Sequence, residues 1–489
     1  MTSAAIDFSN KQSDGLEKLA GAPGVAVNVI VDDTNTVYRR PGIEAAPGVY
    51  SGVFDTAVQG VYGTLDGNIY AVGNSVPFRQ LYQVTDVAAV ALGAALSDAN
   101  LGGYGRPTFA ETQLLLAIAG AGPMQKIVLS TQVPSRIADS PPYASHVIAN
   151  SSRLLGNIAN VNYNNTFDKS VVRFSDIANG NSSYAGMEVW TEGLGTAGHF
   201  SAEADPDPVI SLVTSTNEVF CFGDTSLQIF APDPSSVYSP TVTRELGSAA
   251  AYSAIKVNGQ VAWFDNLRRF VLSDGRSEQV LSDPISKVLD DLDTVTDCFG
   301  YRPVIGFMDA MVWTFPADGR TFAFQKDAAW SEWLGWDDST NNFAPFLVNC
   351  HHMPTEAHDN LVGTTDGRIG RLSLDATTDF GTKIVARVDT GFLARGTDAR
   401  KHCRVVRVVL KRGQTSSSAE PVGYLSYRDE PGPWGQPLEV SFGATGDTNP
   451  VLEFRSLGVY RRRQWRFEFS GSEALGLVSV TEEFDILGN

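Results

Sequence analysis

The densest set of groups able to do chemistry is Cys350-His351-His352, with His358 six residues beyond. A thiolate and three imidazoles form a zinc-ligand set in principle. On a strand, however, the adjacent His351 and His352 face opposite sides, and no second chelating pair flanks them. They read as loop or interface histidines, and no metal is expected. A G-x-G-x-x-G match falls at Gly193, Gly195 and Gly198, after the strand-like MEVWTE. A dinucleotide site needs a helix N-terminus next, to hold the pyrophosphate. The following HFSAEADPDP does not read as a helix, so the match is a glycine-rich loop and no cofactor is expected. No G-x-S-x-G elbow, P-loop or sialidase-type S-x-D-x-G-x-x-W turn occurs. The acid pairs Asp32-Asp33, Asp290-Asp291 and Asp337-Asp338 read as solvated turn residues. A catalytic pair would need a set separation across a cleft. No catalytic residue is expected, and the chain reads as non-enzymatic.

Two further constellations invite a binding role. Trp330, Trp333 and Trp336 recur every three residues in AAWSEWLGWDD. They could form a glycan-stacking platform; the favoured reading is that they wedge between repeated units or serve as interface aromatics. The run Tyr460-Arg461-Arg462-Arg463-Gln464-Trp465-Arg466 sets basic residues beside aromatics, as nucleic-acid surfaces do. On a strand those charges divide between two faces. Arg461, Arg462, Arg463 and Arg466 are therefore read first as salt-bridge partners of an acidic neighbouring subunit, and second as DNA contacts.

The elements that must position these groups are strands. Hydrophobic residues make up 43% and charged residues 19% of the 489, with 46 Gly and 24 Pro, a profile of many short strands joined by tight turns. Asp66-Gly67, Asn258-Gly259, Asp274-Gly275, Asp318-Gly319 and Asp366-Gly367 separate strand-like segments. Such dipeptides suit type I′ hairpin turns. The last three Asp-Gly pairs lie 44 and 48 residues apart, the length of a four-stranded propeller blade with its loops. Thr112–Ser130 and Val209–Phe230 are further candidate blades, while Pro141 to Asn179 is Asn- and Ser-rich and resists assignment. One helix is expected, where Ser282-Asp283-Pro284 opens ISKVLDDL with a capping residue and a first-turn proline.

After Asp379 the strands lengthen and alternate, as in CRVVRVVLKRG and RRQWRFEFSG. The chain is thus all-β. We expect an N-terminal arm at 1–35, a β-propeller of six or seven irregular blades at 36–379, and a C-terminal β-sandwich at 380–489. Cys221, Cys298, Cys350 and Cys403 are far apart and read as reduced, buried thiols. Met1 to Lys11 lacks an apolar core, and Val87 to Leu96 is about half the roughly 20 residues of a membrane span. A soluble protein with no membrane insertion is expected. The net charge of −18 is uneven: residues from Phe380 onward carry +2, and those before carry −20. So acidic a body argues against wrapping nucleic acid.

In order and texture the sequence resembles the packaged-DNA stabilisation proteins of short-tailed phages, also called tail accessory, tail-hub or nozzle proteins. The segments that carry the likeness are NVIVDDTNTVYRRPGIEAAPG, LDGNIYAVGNSVPFRQLYQV, VFCFGDTSLQIFAPDPSS, GQVAWFDNLRRFVLSDGRSEQVLSDPISKVLDDL, VGTTDGRIGRLSLDATTDFGTKIVARVDTGF and LEFRSLGVYRRRQWRFEFSG. Residues 86 to 205 match poorly. The resemblance implies a structural protein of the virion tail, assembled in the host cytoplasm. It implies a homo-hexameric ring beneath the portal and adaptor proteins. That ring would retain packaged DNA, pass double-stranded DNA on ejection, and seat the tail needle and tail fibre or spike proteins. It implies no catalytic residues. The alternative is a carbohydrate-binding or glycoside-processing propeller, suggested by the tryptophans.

Overall fold

Runs such as Leu115–Ala119 and residues 219–222 are apolar on successive residues, so strands made from them must be buried on both faces. The computed structural model shows what buries them. It describes residues 2–6, 26–49, 52, 54, 56–75, 78–92, 106–120, 122–159, 168–178, 183–234, 237–325, 330–354, 359–412, 422–430, 432–442, 450–471 and 475–487. Four-stranded antiparallel sheets follow one another at residues 58–91, 108–136, 147–201, 211–244, 255–280 and 299–332. These are six successive blades of a β-propeller. A seventh unit closes the circle: strands Val348–His352, Asn360–Thr364 and Ile369–Ser373 take their outer strand, Gly42–Glu44, from near the N-terminus. The Asn- and Ser-rich stretch from Pro141 to Asn179, which carries no clear strand pattern, supplies much of blade 3.

Alternation along each strand sends side chains to the two neighbouring blades in turn. In blade 4, Val219 and Cys221 pack with Leu155, Val172 and Phe174 of blade 3. Between them in sequence, Phe220 and Phe222 pack with Val261, Trp263 and Val271 of blade 5. Blade 2 divides likewise, with Leu115 and Ala117 toward blade 3 and Leu116 and Ile118 toward blade 1. Seven such cores run round the circle, the last joining Leu361 and Ile369 of blade 7 to Val58 and Ala71 of blade 1. A fully buried side chain of this size is worth roughly 1.5–3 kcal/mol. Each core therefore outweighs the short strand Gly42–Glu44, which shapes the seventh blade but does not by itself hold the circle shut.

The turns depart in part from expectation. Asn258-Gly259 has positive φ at both residues (46° and 84°), as type I′ requires. The same pair of positive φ values occurs at Ser151-Ser152 and Thr216-Asn217, so the first hairpins of blades 3, 4 and 5 turn alike. At Asp66-Gly67, Asp274-Gly275, Asp318-Gly319 and Asp366-Gly367 only the glycine is positive, which rules out type I′. At Asp66-Gly67 and Asp366-Gly367 the threonine two residues before the aspartate ties the turn: the Thr64 hydroxyl donates to Asn68 O at 2.9 Å and Thr364 to Arg368 O at 3.0 Å. The expected helix forms as a 3-10 turn, Asp283–Ile285, running into Ser286–Asp290. Ser282 does not cap it; its hydroxyl accepts the Phe270 N–H at 3.0 Å instead.

The remaining strands build a two-layer sandwich. One sheet orders Val29–Val31, Val37–Arg39, Leu475–Ile486, Lys401–Arg412 and Val451–Arg455, with Thr2–Ile6 along Leu475–Ile486. The other contains Ala386–Asp389, Arg463–Ser470, Val422–Asp429 and Leu438–Ser441. Val406, Val408 and Leu410 face Leu425, Trp465, Phe467 and Phe469 in the core between them. The second sheet does not stop at the sandwich. Strand Ala26–Val27 pairs with Ala386–Asp389 on one side and with the outer strand of blade 6, Trp330–Glu332, on the other. A single ten-stranded sheet thus runs from propeller into sandwich. The described parts of 1–35 are strands of this junction and of the sandwich. Strands Thr378–Asp379 and Thr382–Lys383 still extend the blade 7 sheet.

A buried ion pair pins the junction. The Arg40 and Asp379 side chains are 0% and 3% exposed. The Arg40 guanidinium gives Asp379 two bonds, of 3.0 and 2.5 Å, and donates to Asn28 Oδ1, Pro41 O and Leu334 O at 2.9 Å each. All five of its N–H donors are thereby used. Replacing one partner leaves the other charge buried and alone, at a cost of about 3–5 kcal/mol. Arg40→Met should lower the stability measured by denaturant unfolding by that order. Arg40→Lys should recover little, since an ammonium cannot reach five acceptors around a plane.

The propeller axis as the candidate functional site

The innermost strand of each blade lines the axis: Val58–Gly63, Thr108–Glu111, Val147–Asn150, Ser211–Ser215, Ile255–Val257, Phe299–Tyr301 and Val348–His352. They enclose a cavity of about 370 Å³. Two contacts cross it near the strand beginnings. Arg106, entering blade 2, lays its guanidinium on the Phe299 ring of blade 6, 3.5 Å from the centroid. It also donates to the backbone carbonyl of Asn349 in blade 7 and, at 2.9 Å, to Asn349 Oδ1. His146, entering blade 3, stacks on Tyr252 ahead of blade 5 with centroids 4.7 Å apart. Burial pulls Arg106 down to about 10 and His146 down to about 4.

The Cys350-His351-His352 cluster lies on the blade 7 strand of this wall, and its side chains separate as the strand geometry requires. The Cys350 thiol is buried and pushed up to about 12, so it is no thiolate at neutral pH. His351 turns to blade 6, stacking on Tyr301 at 5.1 Å, with Nε2 3.0 Å from Asn360 Oδ1. His352 turns to blade 1: its ring lies 3.9 Å from that of Tyr62, and its Nε2 donates to Gly63 O at 3.0 Å. Burial holds both imidazoles down to about 4, so they are neutral. His358 lies outside the described residues. Among the described residues no three His, Cys, Asp or Glu side chains are grouped to hold a metal ion.

The other expected sites resolve differently. Trp330 and Trp333 are wedges: Trp330 stacks on Phe270 at 5.1 Å and donates to Leu281 O at 2.9 Å, between blades 5 and 6. Trp333 is fully buried against Phe346, between blades 6 and 7. Trp336 is half-buried beside Phe343, with Lys383 over its ring. A three-tryptophan glycan platform therefore does not exist. The expected outward role also fails for Arg463, which is 1% exposed. Its guanidinium grips Asp429 with bonds of 2.7 and 2.9 Å and lies among the rings of Tyr427, Tyr460 and Trp465. Arg466 likewise holds Asp389 within the chain, at 2.9 and 2.8 Å, under Trp434. Arg461 and Arg462 are at the surface side of this strand end; Arg461 donates to Asp398 O, and Arg462 pairs with Asp398 and Glu430.

The glycine-rich match leads into a strand, Gly198–Ser201, not a helix. Gly195 (φ 60°) sits where any side chain would strike the Asp176 carboxylate, which caps the loop through Thr196 N at 2.9 Å. Asp32 and Asp337 are turn caps as well, accepting from Thr34 N and Ser339 N at 2.9 and 2.8 Å. Arg106, His146 and Tyr252 were not foreseen. Each lies at or just before the start of an innermost strand, and only closure of the circle brings them together.

No family model and no curated protein matches the sequence. Among solved structures the chain is similar to the extracellular domain of a one-component system from B. thetaiotaomicron. The identity is 9% over 87% of this chain and 62% of that one, with a TM-score of 0.44. It is also similar to streptogramin B lyase, at 9% identity over 66% of this chain and 97% of that one, with a TM-score of 0.41. A third likeness is to PorZ of the type-IX secretion system of Porphyromonas gingivalis, at 12% identity, 73% and 44% coverage and a TM-score of 0.38. The chain spans less than two thirds of the length of the first and third of these proteins.

Two outcomes follow. The three axial histidines have native affinities for protons below the unfolded value of about 6.5, so the unfolded chain binds more protons between pH 6.5 and 4 and stability falls as pH drops through that window. The unfolding midpoint should decline between pH 6.5 and 5, before most carboxylates titrate, and His351→Gln should make the decline shallower. In the sandwich, Arg463→Met should destabilise by about 1.5–3 kcal/mol in denaturant titrations, less than at Arg40, because the Asp429 left behind is 40% exposed and can regain water. Arg461→Ala with Arg462→Ala should shift the curve by less than about 1 kcal/mol.

Proposed function

We propose that the chain is a structural tail-hub, or nozzle, protein of a short-tailed phage and not an enzyme. In this reading copies form a six-membered ring between the portal-adaptor assembly and the tail needle and fibres. The sequence resemblance brings the idea. The observation that carries it physically is the rigid joint between propeller and sandwich, a continuous ten-stranded sheet locked by Arg40 and Asp379. A protein whose task is to hold neighbours in place gains from two domains that cannot hinge.

The genome would pass between copies, along the ring axis, because each propeller's own cavity is about 370 Å³ and is crossed by Arg106 and His146. The −20 charge of residues before Phe380 suits a lumen that does not grip phosphates. The ring would close through heterologous contacts. The carbohydrate reading loses its main motivation with Trp330 and Trp333 buried.

Cryo-electron microscopy of virions carrying this chain, with mass photometry of the protein mixed with its adaptor, tests the reading. The expected result is a closed six-fold ring below the adaptor with an acidic lumen. Absence from purified virions, a lumen lined mainly by Lys and Arg, or hydrolysis of host polysaccharide by the purified chain would overturn it.

A further inference from the structure

Arg106 is set apart from the chain's buried arginines. Arg40, Arg395 and Arg463 each hold a carboxylate: Asp379, Glu482 and Asp429. Arg153 and Arg173 give bonds to two backbone carbonyls each. Arg106 makes no ion pair among the described residues; its only hydrogen-bond partners are the two oxygens of Asn349. Of its five N–H donors two are thereby used. It lines a cavity, and none of the described residues around that cavity is Asp or Glu. The only other charged residue in the wall is Lys256, which is exposed. The axis thus presents a guanidinium with no ion-paired carboxylate, although Asp297 lies within its electrostatic reach and Glu111 accepts from the Tyr62 hydroxyl behind the wall. Arg106 is half-buried, and its unused donors are open to the cavity, where an anion could take them.

The walls define the rest of the ligand. Tyr62, Phe109, Phe299 and Tyr301 come from the inner strands of blades 1, 2 and 6, and the imidazoles beside them are neutral. A volume of about 370 Å³ is at the small end of ligand pockets, which run from roughly 300 to 1,000 Å³. It suits one ring with its substituents and excludes a polymer. Inorganic phosphate would engage the arginine but leave the aromatic wall unfilled. We propose that the propeller axis binds a small organic carboxylate, with the Arg106 guanidinium taking the carboxylate and the aromatic wall taking a planar apolar body. This site is independent of the ring proposed above.

The probe is sodium benzoate, added to the full chain and followed by isothermal titration calorimetry and thermal unfolding. Benzamide, its neutral isostere, and inorganic phosphate are the comparators. Benzoate should bind saturably and raise the unfolding midpoint, and benzamide should bind at least tenfold more weakly, as expected when a charge-assisted pair is lost. Arg106→Met should weaken benzoate by a similar factor. If Arg106→Met does not fold, the benzoate–benzamide comparison on the unaltered chain decides. Absent benzoate binding, equal binding of benzamide, or phosphate binding tighter than benzoate would each overturn the proposal.

Discussion

The Arg40–Asp379 pair is the contact on which the rest of the molecule depends. A guanidinium and a carboxylate taken wholly out of water are tolerable only if every donor and acceptor is satisfied. Here the acceptors come from four places in the chain: Asn28, Pro41, Leu334 and Asp379. The network therefore forms only when the N-terminal segment, the exit of blade 6 and the end of blade 7 have met. Asn28 is the second hub. Its backbone bends through a positive φ of 57°, its Nδ2 donates to Val385 O at 2.9 Å, and its Oδ1 also accepts from Leu334 N at 2.7 Å. Just before it, Ala26–Val27 bridges blade 6 and the sandwich; just after it, Gly42–Glu44 completes blade 7. One short stretch of chain thus completes the seventh blade and attaches the second domain.

The circle itself is a consequence of strand chemistry. Strands apolar on both faces have no stable place at a surface, and in a ring of blades each face meets a neighbour. Blade-to-blade aromatic contacts such as Phe270 on Trp313, 4.2 Å apart, hold the angle between blades. The inner strands are left crowded about the axis, where backbone and side-chain polar groups must be satisfied at close range. His351, His352 and Asn349 do that work with carbonyl and amide partners, while burial keeps the two imidazoles neutral. The axis is consequently a stoppered pocket and not a pore.

Much of this was legible beforehand, where the signal is local. Strand-turn-strand segments gave an all-β propeller followed by a sandwich, and the tryptophans read as wedges between blades. The opposite facing of His351 and His352 follows from strand geometry alone. Asn258-Gly259 was recognisable as a type I′ turn, whereas Ser151-Ser152 and Thr216-Asn217, of the same shape, carry no glycine to mark them. What stayed hidden is non-local. Ala26–Val27 is two residues long and Gly42–Glu44 three, too short for any periodicity, and their partners lie some 300 residues away. The Arg40–Asp379 pair spans 339 positions. In the run Arg461 to Arg466, a guanidinium that faces solvent and one that faces a core carboxylate look identical in sequence. Nothing marks Arg106 except its place before a strand, and its lack of an ion pair among the described residues is a property of the closed circle.

Hydrogen–deuterium exchange of the intact chain, read on peptides covering residues 26–44, tests the central claim most directly. If this stretch locks propeller to sandwich, its amides exchange as slowly as those of strands Leu115–Ala119 and Arg463–Ser470, with the same dependence on denaturant. Rapid exchange of 26–44 while those strands stay protected would mean a loose arm on two separable domains, and would contradict the account.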